Sequence, residues 1–281
     1  MKKRFRGKGR LAEATTRDEF IRGLRAEQIQ TKKQGKRREG FQSQWQQLYE
    51  HCTDSGSHAR LLGLREQYER FKSGVSEPAQ VEIEVALLMK SAGFSVAFLE
   101  ESAVRTADLE CYWGVERLFV EITAIVPTPS VRCVTEPQNI DGPWLENDMY
   151  QDVFIRRLIS RMAEKSKQLN RYCAPVLLAV TVPFIEWLES EKYRQKKIDL
   201  QRLAGLLSTA LVGTPQISAV LLTCWNFSAQ LARSNIRLHN ASWVARSEAE
   251  VLLPRTRLFV ANAVATYRLG AQETVALKSV L

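Results

Sequence analysis

Apolar residues along this chain recur either every three or four positions, as on one face of a helix, or in short runs bounded by turn residues, as in strands. Near the start, Thr16-x-x-Glu19 forms a capping box, and Phe20, Ile21, Leu24 and Ile29 continue it as an amphipathic helix. The segment from Thr31 to Gly40 (TKKQGKRREG) has no apolar residue and reads as a linker. Two helical patterns come next, at Phe41–His51 and His58–Lys72, separated by the breaker TDSGS. In the second, Leu61, Leu64, Tyr68 and Phe71 share a face and are expected to pack.

From Glu77 the pattern becomes helix, strand, strand, strand. Pro78 suits a helix's first turn and Gly93 the position past its end. Strands are expected at FSVAF (94–98), RTADLECYW (105–113) and RLFVEITAI (117–125), with Gly114 turning between the last two. A proline-rich loop (Pro127, Pro129, Pro137, Pro143) leads to a long helix at about 146–170. Then come an apolar strand at 174–182, a helix near 197–212, another apolar strand at 217–225, and mixed strand segments near 236–245 and 256–261. Helices alternating with almost wholly apolar strands predict an α/β fold, a central mixed β-sheet flanked by helices. The expected divisions are a basic arm and linker (1–40), a helical lead-in (41–75) and a body (76–281), with no internal repeat.

Composition excludes several classes. The 281 residues are 45% hydrophobic, enough for a substantial core, yet no apolar run reaches the roughly 20 residues of a membrane span. No apolar stretch comes after MKKRFRGKGR, so a secretory leader is not expected. The five cysteines are scattered without a CxxC pair, which suggests reduced thiols and a cytoplasmic protein. The net charge is +9, and residues 1–40 hold 14 Lys+Arg against 5 Asp+Glu. The other 241 residues therefore carry 26 of each sign (40 − 14 and 31 − 5). An arm bearing Lys2, Lys3, Arg4, Arg6, Lys8 and Arg10 suits phosphate binding by counterion release; a solubilising or protein-docking tail fits equally well.

The candidate chemistry lies between residues 82 and 168. Side chains alternate across a strand, so Asp108 and Glu110 share one face, and Phe119, Glu121, Thr123 and Ile125 share a face of the next strand. A hairpin through Gly114 would bring Asp108 and Glu121 together. Adjacent carboxylates repel unless a cation intervenes, and such oxygens suit Mg²⁺ or Mn²⁺. The plainer alternative is two solvent-facing carboxylates on a half-exposed sheet.

The run containing Glu82 and Glu84 (VEIEVALLMKSAGF), then ADLE, then VEIT, then EKSKQL before an apolar strand, resembles the PD-(D/E)XK nuclease family, with its restriction-endonuclease-like fold. The resemblance spans about residues 77–225. It implies a nuclease cleaving phosphodiester bonds with Mg²⁺ or Mn²⁺, DNA being the expected substrate. Carried over, Asp108 and Glu121 would bind metal, the Ile122 carbonyl would complete the shell, and a helix carboxylate would support them. The stretch LFVANAVATYRL (258–269) also resembles a C-terminal segment of some such proteins, with Asn262 capping or turning the backbone. Many nucleases of this fold are dimers; a homodimer or a partner protein engaged through the N-terminal region is possible by analogy.

The family's strand lysine is replaced by Thr123, whose neutral hydroxyl supplies no charge to an attacking water. On the 146–170 helix, Phe154, Leu158, Met162 and Leu169 form an inward stripe that includes Lys165, with Gln168 flanking it. A lysine there is costly unless paired, so Lys165 is expected to reach the Asp108/Glu121 site; the alternative is that its ammonium snorkels to water. Glu82 and Glu84 flank their helix's apolar stripe similarly, and Glu82 is preferred by its spacing from Gly93. Glu110 is expected to pair with a cation rather than touch a second metal. A degenerate relative, keeping the fold but serving as a nucleic-acid-binding or interaction component, is the alternative function. Neither a nucleotide-binding glycine motif nor a zinc motif is present.

Overall fold

The computed structural model describes residues 39–70, 77–100, 107–125, 143–183, 197–225, 227–230, 238–247 and 253–281. The basic arm, the helix expected at 16–29 and the loop prolines 127, 129 and 137 lie outside the described residues. The chain divides between Ser43 and Gln44, and the second unit, Gln44–Leu281, takes in most of the lead-in as well as the body.

A helix over residues 39–51 (α1) is succeeded by α2, Ser55–Arg70. The TDSGS breaker supplies the cap of α2: Asp54 Oδ1 accepts the Ser57 N–H at 2.7 Å. Helix α3, Glu77–Ser91, has Pro78 in its first turn. Gly93 then takes φ 92°, and a Cβ there would lie 2.7 Å from Trp113 Cζ3, so the turn needs glycine on two counts. Strands β1 (Ser95–Phe98), β2 (Leu109–Trp113) and β3 (Glu116–Ala124) form an antiparallel meander. Gly114, at φ 63°, turns β2 into β3.

Helix α4 spans Pro143–Gln168 and returns the chain to β4, Val176–Val182, which lies parallel to β3. Pro143 thus opens the helix, where proline's missing N–H costs nothing, instead of ending the loop. The helix expected near 197–212 begins with a short strand, β5 (Lys197–Asp199), before α5 (Leu200–Val212). Asp199 is the reason for the break: its carboxylate accepts the N–H groups of Gln201 and Arg202 as an N-cap. Strand β6 (Ala219–Cys224), β7 (Ser228–Gln230), β8 (Ala241–Ala245), β9 (Thr256–Ala261) and helix α6 (Ala271–Ser279) complete the order.

The result is an α/β fold around a seven-stranded mixed sheet, β1-β2-β3-β4-β6-β9-β8, with β5 and β7 as a separate two-stranded sheet. Only the β3–β4 and β4–β6 neighbours of the large sheet are parallel. One face carries Phe119, Val180, Val220 and Leu258, packed under Phe154, Leu158 and Met162 of α4 and Leu203 and Leu207 of α5. The alternate residues, such as Val120 and Leu177, face the other way and are fully buried. Helices α2 and α3 pack together and reach β1, and α3 reaches β3. None of the described helices is long and apolar enough to cross a membrane.

Candidate functional site

The Gly114 hairpin fixes which carboxylates meet. Leu109 pairs with Val120, so Asp108, one residue before β2, falls beside Glu121 and Ile122. The Asp108 backbone is held on both sides: its N–H donates to Val120 O at 3.0 Å and its carbonyl accepts the Leu99 N–H at 2.9 Å. The strand expected over 105–113 begins only at Leu109. Ahead of it, the Asp108 carboxylate itself takes a backbone donor of β3, accepting the Ile122 N–H at Oδ2, 2.6 Å away. A residue's N–H and C=O leave an extended strand on the same side; the Ile122 carbonyl therefore points toward the Asp108 edge of β3.

Glu121 lies between Phe119 and Ile125 on the face covered by α4 and is 4% exposed. A charge so deep requires a partner, and α4 provides one: Lys165 Nζ donates to Glu121 Oε1. Lys165 occupies the inward stripe of α4, below Leu158 and Met162, both fully buried. From α3, Glu82 is also buried, and Arg60 of α2 grips it bidentately, with Nε and Nη2 each 2.9 Å from a carboxylate oxygen.

Electrostatically these groups act on one another. Burial first, and then the charges of Glu121 and Glu82, push the Asp108 carboxyl up to about 8; the Ile122 N–H and the Lys165 ammonium oppose the shift. Asp108 thus holds its proton at neutral pH, when no further cation is present.

Other expected residues stand apart. Glu84 leaves α3 in a different direction, accepting from Gln80 Nε2 at 2.7 Å and from Trp225 Nε1 at 3.0 Å. Glu110 pairs with Arg117 and accepts the Tyr112 hydroxyl at 2.7 Å, a cation pairing on the strand surface. Thr123 is half-buried opposite Val180 of β4, and Gln168 ends α4 half-buried. Among the described residues, no group of three or more His, Cys, Asp or Glu side chains is disposed to hold a metal ion. Two carboxylates and a carbonyl are nonetheless a donor set that suits Mg²⁺, which keeps several of its own waters.

Two positioning residues escape a reading of apolar periodicity. Arg60 sits three residues after Ser57 and four before Leu64, both buried, so it belongs to the packed face of α2; that spacing was the available signal. Tyr172 accepts the Ala107 N–H at 2.5 Å and packs on Phe119 with ring centroids 4.3 Å apart, pinning the approach to Asp108. Nothing in the sequence pairs residues 107 and 172, which lie 65 positions apart.

Asn262 does more than turn its own loop. Its amide donates to Leu211 O, Thr214 O and Ile217 O, and its Oδ1 accepts the Val264 N–H. Trp45 is buried and donates to Leu61 O at 2.7 Å, as a core anchor does. No protein-family model, no curated protein and no solved structure matches the chain.

Proposed function

We propose that this chain is a metal-dependent phosphodiesterase with a restriction-endonuclease-like core, cleaving nucleic acid and in the first instance DNA. The observation that carries the reading is the convergence of Asp108, just ahead of β2, with Glu121 of β3 and Lys165 of α4. The order of α3, the β2–β3 hairpin, α4 and β4 agrees with the order of motifs in the PD-(D/E)XK family, which supports it further.

Asp108 and Glu121, with the Ile122 carbonyl, would hold Mg²⁺ or Mn²⁺, and Glu82 would add negative potential behind them. When bound, the metal supplies acidity to a water and counter-charge to a phosphate oxygen. The chain's part is positional and electrostatic. With the metal in place Asp108 would lose its proton to solvent, and the Lys165 ammonium, which rests on Glu121, would be released from that carboxylate. That ammonium provides the positive charge that Thr123 lacks, orienting a water or assisting its deprotonation. Arg60 keeps the Glu82 carboxylate fixed, and the basic arm, Lys2 through Arg10, adds affinity for phosphates without sequence preference.

A second reading has its own support: Lys165 and Arg60 already neutralise Glu121 and Glu82, as in a degenerate relative that keeps the fold and binds nucleic acid or a partner protein. One experiment separates the two. Labelled plasmid, linear duplex and single-stranded DNA are incubated with Mg²⁺ or Mn²⁺, beside Asp108→Ala and Glu121→Ala. Cleavage that requires metal and disappears in both variants is expected. Cleavage retained in both would overturn the assignment, and DNA bound but uncut under every metal condition would favour the second reading.

A further inference from the structure

A cavity of 430 Å³ lies on the α3 side of the sheet, away from the Lys165 ammonium, and is lined in part by Glu84, Thr181, Thr223, Trp225, Arg246 and Arg257. Thr181 pairs with Thr223 across β4 and β6, and Thr223 with Arg257 across β6 and β9, so three adjacent strands present polar side chains to one space. Both arginines brace the chain: Arg246 donates to Pro254 O and Leu281 O, and Arg257 to Val280 O. Those contacts leave donors over. Arg257 Nε is buried without a hydrogen-bond partner, an arrangement that costs stability.

Of the side chains that line the cavity, two are guanidiniums and one, Glu84, is a carboxylate, and the main-chain oxygen of Leu281 also lies on Arg246. Burial, and then the neighbouring Arg246 charge, lower the Arg257 guanidinium to about 10, while Glu84 opposes the change. The rest of the lining includes the Trp225 ring and apolar side chains of α3, such as Val85 and Leu88. Mostly apolar walls with a few convergent polar groups, at a few hundred cubic ångströms, are what small-molecule sites look like.

We propose that this cavity is a second binding site, taking a small organic oxyanion: one phosphate or carboxylate head held by Arg257 and Arg246, and an aromatic or apolar body against Trp225 and Leu88. The Thr181 and Thr223 hydroxyls supply further hydrogen bonds to the head. This site is independent of any metal at Asp108 and Glu121.

Calorimetric titration of the full chain in EDTA tests it, using phenyl phosphate, benzoate and inorganic phosphate, with phenol as the uncharged control. Saturable 1:1 binding of phenyl phosphate or benzoate, tighter than inorganic phosphate and absent for phenol, is expected, and the better of the two aromatic anions identifies the head group. Arg257→Gln should weaken that binding about ten- to a hundredfold, the loss expected for a charge-assisted contact. Glu84→Gln should tighten it, because the competing negative charge is removed while an oxygen remains for Trp225. That opposite sign is not expected of a merely structural pair, and it decides the matter even where Arg257→Gln fails to fold. No saturable binding of either aromatic anion, or affinity unchanged or weakened in Glu84→Gln, would overturn the proposal.

Discussion

Replacing Asp108 with asparagine removes a carboxyl whose proton the fold holds up to about pH 8, against about 3.9 in an unfolded chain. Between those two values the folded state binds a proton that the unfolded state has lost. Stability therefore falls as pH rises from about 4 to about 8, and is level beyond. Asparagine has no proton to hold and keeps an oxygen for the Ile122 N–H. The advantage of Asp108→Asn over the natural protein should then be near zero at pH 4 and grow with pH. Each pH unit contributes about 1.4 kcal/mol, so the ceiling at pH 7 is about 4 kcal/mol. Asp108 is half-buried by area; water screens part of the effect, and about 2 kcal/mol is the working expectation. Urea unfolding of both proteins at pH 5, 6, 7 and 8 reads this as a widening gap in midpoint at constant m-value. A variant less stable than the natural protein at pH 7, or a gap independent of pH, would refute the reasoning and show the carboxylate to be well satisfied by its neighbours.

The same geometry makes two further perturbations informative. Lys165→Met strips the ammonium from buried Glu121. A buried carboxylate without its counter-charge costs about 3–5 kcal/mol at pH 7, and the cost shrinks toward pH 5 as protonation removes the charge. Chemical denaturation at the two pH values should show the smaller loss in acid, and adding Glu121→Gln should recover most of the loss at pH 7. Asn262→Ala leaves the Ile217 carbonyl without its side-chain donor, while Leu211 O and Thr214 O keep backbone N–H donors, which should cost about 1–3 kcal/mol. A thermal midpoint within a degree of the natural protein would contradict that role.

Local signals placed much of this structure in advance, because they act through neighbours in sequence. Pro78 and Gly93 bracket α3, Gly114 turns the hairpin, and side-chain alternation sets Asp108 and Glu121 on one face. The 3.6-residue repeat of α4 put Lys165 on the inward stripe, where its ammonium meets Glu121. What periodicity missed depends on contacts across the fold. Glu82 and Glu84 are two positions apart on one helix and nearly equivalent by wheel, yet Arg60 takes the first and Trp225 the second. Their partners come from α2 and from the end of β6, which no local pattern ties to α3. Strand β5 was hidden because its three residues, ending in the cap Asp199, run straight into α5. Helix α6 lacks a clear apolar face, with Glu273 among its buried residues, so the amphipathic signal that marked the other helices is absent there.

Binding of a divalent ion at the carboxylate pair is the most direct test of the central claim, because it needs no knowledge of the substrate. Mn²⁺ titrated calorimetrically into the full chain at pH 7.5 should bind saturably, and the binding should be lost in Asp108→Asn and in Glu121→Gln, with both variants folded. Mn²⁺ bound equally by the natural protein and both variants would contradict the account; so would a natural protein that binds none.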